Sequence, residues 1–355
     1  MAQTSLTLNY DSILTTTLFN VRGILYDQIF KSNVFMNWLH QKGRKRVVNG
    51  GERIQVALQT GTNSTVKTYS GYELLDTTPQ DNVTSAFYNW KQLAGSVAIN
   101  RLEERQNSGE AQIMSLLQQK VNELQLSMAD ELSREILGPN GAASGSTFAV
   151  GNGGKDLLGL PIIIQDAPAT GSLVGGINSA DSSFWRNQTT DSTATTTKAY
   201  KDELRKMWND CSKGPGGGPD MVLATQTAYE HYESALNDHS RHTNLALADL
   251  GFDNVRLKGA NVVWDERVPD SENQEYSSAD GGNPSTETAY FINSKFLELV
   301  VDSQTDFITT PFVRPENQDA RVAQVLFYGE LTCNNRRKQG VLASIQTAAL
   351  TPSTG

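Results

Sequence analysis

The sequence NSGEAQIMSLLQQKVNELQLSMADELSREILGP, residues 107–139, carries the strongest local pattern in the chain. Asn107 and Glu110 have the spacing of a capping box, in which the Asn side chain accepts early amide protons and the Glu side chain reaches back. Gly138 and Pro139 end the pattern, as is typical of a helix C-terminus. The pattern predicts a helix from about Asn107 to Leu137, about 45 Å long at 1.5 Å per residue. Its apolar residues recur at intervals of three and four: Ile113, Leu117, Val121, Leu124, Met128, Leu132 and Ile136.

The segment before residue 45 predicts an arm followed by a helix. Residues 11–17 are small and polar, which indicates an arm, and Gly43 ends the helical pattern. Because an arm with one helix has little core of its own, we expect it to pack on something else, such as a neighbouring subunit. The helix is predicted over Leu14–Leu39 from an amphipathic stripe: Leu14, Leu18, Val21, Leu25 and Ile29.

Residues 53–99 change to the two-residue period of extended strands. Ile54, Val56 and Leu58 alternate with polar or small residues and predict a strand. A second extended stretch runs from Ser85 to Ile99, and residues 60–82 between them are rich in Gly, Ser, Thr and Asn. Since most hairpin loops are short, we expect a long hairpin that projects from the body and needs a partner surface to cover its apolar face. An ordinary surface loop on a sheet is the alternative.

The chain after residue 140 alternates strands with helices, which predicts an α/β or α+β second domain. Residues 141–154 are a Gly/Ala/Ser linker, Leu157–Ile164 is predicted to be a strand, and residues 189–197 a Thr-rich loop. Helices are predicted at Lys198–Asp210 and directly after Thr225, which serves as an N-cap. Further strands are predicted at Met221–Ala224, Asn261–Asp265, Tyr290–Ile292 and Leu297–Val301.

The last predicted strand, Arg321–Thr332, is unusually long. At about 3.3 Å per residue it spans about 40 Å, close to the length of the long helix. A helix and a strand of this length together form an extended platform. One strand face carries Ala323, Val325, Phe327 and Leu331, and the other carries Gln324, Tyr328, Glu330 and Thr332 together with Val322 and Leu326.

The composition limits the class of protein. The 355 residues include 38% hydrophobic residues and carry a formal net charge of −9. This length exceeds the roughly 250–300 residues at which a single core stops growing. The two cysteines, Cys211 and Cys333, form no CxxC pair and cannot build a disulfide scaffold. No apolar run approaches the roughly 18 residues of a membrane span, and the negative charge argues against a protein that coats itself with nucleic acid.

Motifs for catalysis, cofactors and metals are weak in this sequence. Residues 149–155, AVGNGGK, are similar to a phosphate loop, but Asp156 follows where a Ser or Thr hydroxyl would ligate magnesium. His239 and His242 could share one helical face, but Arg241 between them repels a cation. No G-x-S-x-G elbow is present, and neither cysteine lies near a histidine in the sequence. We therefore predict no enzyme activity, no catalytic residue, no cofactor and no metal site.

The order of the predicted parts resembles one known family. An arm with a helix, a projecting hairpin, a long helix, an inserted α/β domain and a long returning strand are similar to the major capsid proteins of tailed double-stranded DNA bacteriophages. Those proteins have the Hong Kong 97-type fold. Several short segments resemble one phage capsid family in particular: VGGIN (174–178), FWRNQ (184–188), PDMVL (219–223), NVVWD (261–265), YFIN (290–293) and CNNRRKQG (333–340).

The resemblance implies an α+β fold of five parts. These are the N-terminal arm and helix (1–45), the extended loop or β-hairpin (46–101), the spine helix with the first part of the peripheral domain (102–172), the axial domain (173–301), and the returning strand of the peripheral domain with the C-terminus (302–355). Some proteins of this family carry a long N-terminal scaffolding segment, whereas this chain enters its predicted arm within a few residues. We therefore expect scaffolding from a separate protein or from a removed precursor piece.

The resemblance also implies a function and a set of partners. The chain would assemble as pentamers and hexamers into the icosahedral phage head, in the host bacterial cytoplasm, and become part of the virion. Its partners would be its own copies, portal and scaffolding proteins, cement proteins, and packaged double-stranded DNA through weak non-specific contact, with no membrane. The residues expected at inter-subunit contacts are Arg53, Lys67, Tyr72, Glu73 and Trp90.

Lys67 is also the only lysine between Arg53 and Lys91. Some members of the family join their subunits covalently through a Lys on the extended loop and an Asn on a neighbour, and Lys67 is the donor that this resemblance implies.

Other functions remain open at this point. Within the same fold, an encapsulin-type compartment would enclose enzyme cargo instead of a genome. An oligomeric α/β enzyme with an active site between subunits would need chemical motifs that the sequence lacks. A tail or adhesion protein should show trimeric β-repeats, which we do not find in the sequence.

Overall fold

The computed structural model describes residues 34–102, 110–138, 151–170, 173–236, 255–270, 287–316 and 319–351. The predicted arm, most of the first predicted helix, Asn107 and most of the linker at 141–154 lie outside these ranges. The helices are α1 (Val34–Gln41), α2 (Glu110–Leu137), α3 (Gly151–Gly154), α4 (Leu160–Ile163), α5 (Thr197–Ser212) and α6 (Gln226–Ser234). Short 3-10 turns lie at Pro168–Thr170, Ser183–Trp185, Ser294–Phe296 and Arg336–Lys338.

The strands belong to two large sheets and two hairpins. They are β1 (Lys45–Val48), β2 (Ile54–Gln59), β3 (Val83–Tyr88), β4 (Lys91–Asn100), β5 (Leu173–Val174), β6 (Ile177–Asn178), β7 (Gln188–Asp191), β8 (Met221–Ala224), β9 (Val255–Leu257), β10 (Ala260–Trp264), β11 (Glu287–Ile292), β12 (Leu297–Asp302), β13 (Ile308–Thr309), β14 (Ala320–Cys333) and β15 (Gly340–Ile345).

The first sheet is built around β14. On one side β14 pairs antiparallel with β12 and β13, and β1 extends the sheet beyond β12 in parallel. On the other side β4 runs antiparallel to β14 from Lys91, opposite Gly329, to Asn100, opposite Ala320. The four apolar residues predicted for one face of this strand are buried, which confirms that face: Ala323, Val325, Phe327 and Leu331.

Helix α2 packs along β4. An added Cβ at Gly95 would lie 2.5 Å from Leu124 Cδ1, so the glycine allows the helix to approach the strand closely. Lys120 Nζ donates to the carbonyl oxygen of Ala98 at 3.2 Å, and Val121 packs with Val97. The helix predicted from residue spacing is thus confirmed over its described part, but its direct neighbour is β4, with β14 one strand further away.

The second sheet has the order β7-β15-β11-β8-β10-β9. Parallel pairs join β8 to β10 and β7 to β15, and the other pairs are antiparallel. Helices α5 and α6 cover this sheet through a core that includes Tyr200, Leu204, Met207 and Tyr232. The helices predicted at Lys198–Asp210 and after Thr225, and the strand at Met221–Ala224, are confirmed.

The two large sheets exchange strands across the predicted segment 173–301. Strand β12 belongs to the first sheet, where Leu299 lies opposite Leu331 of β14. Strand β15, from the C-terminal segment, lies in the second sheet beside β11. The chain therefore crosses between the sheets more than once, and both sheets combine residues that are distant in sequence.

Two local predictions were wrong. Leu157–Ile164 contains the short helix α4 instead of a strand, because Gly159 followed by Pro161 favours a helix N-terminus. The Thr-rich stretch at 189–197 contributes strand β7, which pairs with β15. Glu330, on the face of β14 that it shares with Val322 and Leu326, is fully buried because the segment after α3 packs over that face.

The apolar face of the hairpin β2–β3 was also expected to lack cover within the chain, and this prediction was wrong. Ile54, Leu58, Ala86 and Tyr88 are buried and belong to the main core. What projects is the connection between the strands, residues 60–82, which contains no helix or strand.

Candidate assembly surfaces

The base of the hairpin is fixed to the body. The hydroxyl of Tyr88 donates to the carbonyl oxygen of Cys333 at 2.6 Å, and the amide of Cys333 donates back to that hydroxyl at 3.3 Å. The amide of Phe87 donates to the carbonyl oxygen of Gly175 at 2.9 Å. Gly175 has φ +61°, and an added Cβ would lie 2.8 Å from Ala86 Cβ, so glycine lets this turn approach the hairpin. The hairpin therefore leaves the body at a defined place, next to the C-terminal end of β14.

The two limbs of the connection 60–82 run side by side near the hairpin. The amide of Thr60 donates to the carbonyl oxygen of Asn82 at 2.9 Å, and Ser64 Oγ donates to Gln80 Oε1 at 3.0 Å. Near the far end, Asp76 Oδ1 accepts bonds from both the amide and the hydroxyl of Thr78. These bonds lower the pKa of Asp76, so its carboxylate is charged near neutral pH. Hydrogen bonds between polar groups, and not a hydrophobic core, hold this segment in its conformation.

The tip of the connection, residues 66–81, is exposed throughout and carries large apolar side chains. We call these residues the tip loop. Soluble monomers rarely expose a contiguous apolar patch without an interaction to make. Tyr72 is fully exposed and Leu74 is 93% exposed, so these side chains make almost no contact within the chain. The other exposed apolar residues of the tip loop are Val66, Tyr69 and Leu75.

The five residues predicted at inter-subunit contacts fall into two groups. Lys67, Tyr72 and Glu73 lie on the tip loop, where Glu73 Oε2 accepts a bond from the amide of Ser70. Arg53 is exposed at the start of the hairpin. Trp90 lies elsewhere, since it is half-buried against the main core.

The indole of Trp90 donates to the carbonyl oxygen of Gly51 at 2.8 Å. Trp90 therefore fixes the base of the hairpin. The sequence signal for the tip loop was the length and the Gly-, Ser-, Thr- and Asn-rich composition of the connection 60–82.

A second exposed surface lies where β4 ends and β14 begins. Arg101 and Arg314 both approach Asp319, at 3.6 and 2.8 Å, and Arg321 lines the same depression of about 190 Å³. Leu102 beside Arg101 is 60% exposed. We call this surface the basic end patch, with Val313 as a further exposed apolar member. Sequence reasoning missed it because Arg101 lies more than 200 positions before Arg314 and Arg321 and meets them only through the pairing of β4 with β14.

A pair of buried glutamates connects α2, β14 and the segment after α3. Glu135 Oε2 accepts from the amide of Leu157 at 3.1 Å, and Glu330 Oε1 accepts from the amide of Leu158 at 2.8 Å. Burial raises the pKa of Glu135 to about 7, with a further rise from Asp156 and Glu131 that Lys91 and the Leu157 bond oppose.

Burial also raises the pKa of Glu330, to which Glu135 adds repulsion. Oε2 of Glu330 has no hydrogen-bond partner among the described residues, which suits a protonated acid. Both carboxyl groups are buried in the packed interior, so their protonation affects the stability of the fold.

The residues weighed for nucleophilic chemistry are enclosed in the core. Cys211 and Cys333 are buried, and burial raises the pKa of each thiol to about 12, which keeps both neutral. His231 is buried beside Tyr200, and its Nε2 is 3.0 Å from the carbonyl oxygen of Gln346.

The phosphate-loop and metal-binding candidates fall in or near undescribed parts of the chain. His239 and His242 lie outside the described residues. Among the described residues, no group of three His, Cys, Asp or Glu side chains is placed to hold a metal ion. Of the phosphate-loop segment, the described part forms the single turn α3 followed by exposed Lys155. No helix in the described parts of the chain is both long enough and apolar enough to span a membrane.

The sequence matches no protein-family model and no curated protein. The fold, in contrast, matches solved structures over most of the chain. The capsid of Cyanophage A-1(L) matches with a TM-score of 0.62 and 14% identity, over 86% of this chain and 92% of that chain. The capsid of Myoviridae Phage XM1 matches with a TM-score of 0.52 and 12% identity, over 86% of this chain and 91% of that chain.

An encapsulin complex from Synechococcus elongatus PCC 7942 is also similar. It matches with a TM-score of 0.50 and 12% identity, over 88% of each chain. At these identities the similarity shows the fold alone. The chain is a mixed helix-and-sheet protein with the fold of phage capsid proteins, and the resemblance predicted from the order of its segments is confirmed at that level.

Proposed function

We propose that the chain is the major capsid protein of a tailed double-stranded DNA phage, which assembles into its icosahedral head. The observation that carries this proposal is the match of nearly the whole fold to phage capsids, with a TM-score of 0.62 for Cyanophage A-1(L). The exposed apolar tip loop supports it, because a surface of this kind needs a partner. The role is structural and needs no catalytic residue.

The parts of the chain fit this role as follows. Residues 1–45 are the N-terminal arm and helix, and 46–101 the extended loop that ends in the tip loop. Residues 102–172 hold the spine helix, which corresponds to α2, and 302–355 return β14, which lies one strand away from α2, beyond β4. Residues 173–301, without β12 and with β15 added from the C-terminal segment, form the axial domain, which meets its copies at the centre of each capsomer. The packing of α2 on β4 and of β4 on β14 supports the extended peripheral platform.

A shell that contains both pentamers and hexamers uses one subunit in two environments. Contacts made by the arm and the extended loop allow one subunit to fit both environments. Each such contact adds buried area between subunits without fixing a single angle between them. The net charge of −9 suits an enclosure in which DNA must move instead of adhering to the wall. Portal, scaffolding and cement proteins would complete the virion, which would assemble in the cytoplasm of the bacterial host.

Alanine substitutions test whether the extended loop makes contacts between subunits. We expect Arg53→Ala, Tyr72→Ala and Glu73→Ala to leave soluble, folded subunits but to reduce the yield of closed particles. Thr68→Ala, in the same exposed loop, is the matched control and should assemble normally. Particle yield is measured by sedimentation and negative-stain microscopy. Normal yields for all three variants would refute the contact role of these residues.

Trp90 and Lys67 need separate measurements. Because Trp90 packs on the core and bonds to Gly51, we expect Trp90→Ala to lower the stability of the subunit as well as the particle yield.

If Lys67 joins subunits covalently, boiled denaturing gels of particles will show ladders that Lys67→Arg abolishes. A single monomer band from wild-type particles would exclude that chemistry.

A second candidate function is an encapsulin-type compartment, and the similarity to the Synechococcus elongatus encapsulin favours it. The contents of particles purified from the native source separate the two functions. Phage heads contain double-stranded DNA, which nuclease digestion after disruption reveals, whereas a compartment contains a protein cargo that a denaturing gel reveals.

A further inference from the structure

A short glycine-rich loop joins helix α5 to strand β8. It includes the sequence GPGGGP at residues 214–219, and we call residues 213–218 the glycine loop. Gly214, Gly216 and Gly217 have φ values of +87°, +110° and +82°, which residues with a side chain rarely adopt. A Cβ on Gly216 would lie 2.5 Å from Phe296 Cζ, so the loop packs closely on the turn before β12. The glycine loop is therefore held in one shape, which its glycines make possible.

The ammonium group of Lys338 lies on the carbonyl side of the glycine loop. Its Nζ is 2.8–3.4 Å from four backbone carbonyl oxygens, which belong to Ser212, Lys213, Gly214 and Gly217. In a trans peptide the carbonyl and the next amide N–H point in opposite directions, and the described residues contain no cis peptide. The amides of Lys213, Gly214 and Gly218 therefore point away from Lys338.

These amides are available to a ligand. Among the described residues, no group accepts a hydrogen bond from the amides of the glycine loop, which belong to Lys213, Gly214, Gly216, Gly217 and Gly218. Successive backbone N–H groups in a turn form concave sites for anions, as in phosphate-binding loops. The glycine loop therefore offers several donors, and it contains no carboxylate of its own.

Two exposed cations lie close to the glycine loop and form no ion pair with a described carboxylate. Lys295 Nζ is 3.8 Å from the place where a Cβ on Gly217 would stand. Burial lowers the pKa of Lys338, and the positive charge of Arg337 lowers it further, so the guanidinium of Arg337 also lies near the loop. Lys338 itself bonds to carbonyl oxygens. The described part of the chain therefore leaves these positive charges without a paired acid.

The acids that bond at the same place already have partners. Asp210 lies 2.6 Å from the ammonium group of Lys213. Asp220 lies 3.3 Å from that of Lys42 and accepts bonds from the amide and the hydroxyl of Ser294, at 2.9 and 2.6 Å. The two exposed cations thus remain available to an external anion.

We infer that the glycine loop, together with Lys295 and Arg337, binds phosphate groups. A phosphate presents more acceptor oxygens than a carboxylate, and at this loop several amides and two cations can donate to one anion. Two sources carry this group, which are free inorganic phosphate and the phosphodiester backbone of double-stranded DNA. The DNA source rests on the proposed function, since a phage head encloses DNA, whereas the site itself does not.

The amide of Gly216 reports on the glycine loop directly. Pro215 and Gly216 form the only Pro-Gly step in the sequence. In unassembled full-length subunits with NMR-active isotopes only at proline carbonyl carbons and glycine amide nitrogens, Gly216 gives the single amide signal coupled to a carbonyl. We expect inorganic phosphate at pH 7 to shift this signal to saturation, whereas sodium chloride of equal ionic strength leaves it unchanged. A shift that chloride reproduces in full would overturn the inference.

Removal of the two exposed cations tests their part in the site. Lys295→Gln with Arg337→Gln should weaken phosphate binding, measured by the Gly216 shift, at least about tenfold, because it removes two charge-assisted contacts. Lys155→Gln with Lys198→Gln, at exposed positions elsewhere, loses the same charge and should bind phosphate like the wild type. Equal affinities for the two double variants would contradict the site.

A DNA duplex of about 20 base pairs distinguishes the two sources, because its non-specific binding depends on phosphate contacts. If DNA is the source, the duplex shifts the Gly216 signal and inorganic phosphate competes with it. The slope of log affinity against log salt should then become smaller by about two in Lys295→Gln with Arg337→Gln, at about 0.9 per phosphate contact. If inorganic phosphate shifts Gly216 and the duplex does not, the site binds the free anion.

A Gly216 signal that neither inorganic phosphate nor the duplex moves would show that the glycine loop is no phosphate site. Failure of the proposed function has another signature. In that case the wild-type chain forms no shells, while inorganic phosphate still shifts Gly216.

Discussion

Replacement of Glu135 by glutamine should make the protein more stable at alkaline pH relative to the wild type. The amide keeps the shape of the protonated acid, and its oxygen can still accept the bond from the amide of Leu157. In the folded chain, burial raises the pKa of Glu135 from 4.5 to about 7. The carboxyl group must therefore lose its proton in a buried place when the pH rises.

The direction in which pH changes the free energy of unfolding follows from the pKa of Glu135 in the unfolded and the folded chain. Below pH 4.5 the carboxyl is protonated in both the folded and the unfolded chain, so wild type and Glu135→Gln differ little in their pH dependence. Between pH 4.5 and about 7 the unfolded chain loses the proton first, and the wild-type free energy of unfolding falls. At 1.36 kcal/mol per pKa unit, the total loss is roughly 3 kcal/mol. Above about pH 7 the difference between the two proteins stays constant.

Thermal unfolding of the unassembled subunit measures this effect. With an unfolding entropy of about 2.1 cal/mol/K per residue, 3 kcal/mol corresponds to about 4 °C in a chain of this length. The midpoint of Glu135→Gln relative to wild type should therefore rise by about 4 °C between pH 4.5 and pH 8. Glu123→Gln, an exposed position on the same helix, is the control and should show no such change. A constant difference between Glu135→Gln and wild type across this range would refute the reasoning.

Two further substitutions test contacts that hold the sheets together, with thermal unfolding of the subunit as the measurement. Lys338 Nζ lies 2.8–3.4 Å from four backbone carbonyl oxygens at and just after the end of α5, and its three N–H groups donate to them. Lys338→Met should therefore cost about 2–3 kcal/mol, whereas exposed Lys213→Met should cost little. Tyr88→Phe removes the hydroxyl that bonds to Cys333 and should cost about 1–2 kcal/mol, with the exposed Tyr69→Phe as its control. Equal midpoints for either variant and its control would contradict the assigned contact.

The sequence predicted those elements whose own residue spacing determines them. The apolar interval of three and four placed α2, and two-residue alternation placed β2 and β14, because each pattern reflects the face that the element buries. Such patterns do not show which strands pair when the strands are distant in the sequence. The sequence therefore indicated neither the burial of Glu330 nor the partnership of β4 with β14.

The two exposed surfaces, the tip loop and the basic end patch, also differ in how far the sequence predicts them. Tyr72 could be placed on an exposed segment because a polar connection as long as residues 60–82 is unusual in a hairpin. The basic end patch could not, since Arg101 and Arg314 become neighbours only after β4 and β14 have paired. Trp90 was placed on the projecting segment because it lies within the predicted extended stretch Ser85–Ile99, whereas in the fold it packs on the core.

Electron microscopy of the purified wild-type chain tests the central claim most directly. The account holds that this polypeptide builds a closed shell in which sister copies cover the exposed tip loop. It predicts hollow particles of uniform diameter with five-fold vertices, and density from a neighbouring copy over residues 66–81. Subunits that stay monomeric at high concentration, with the tip loop still uncovered and no shells in any field, would contradict it.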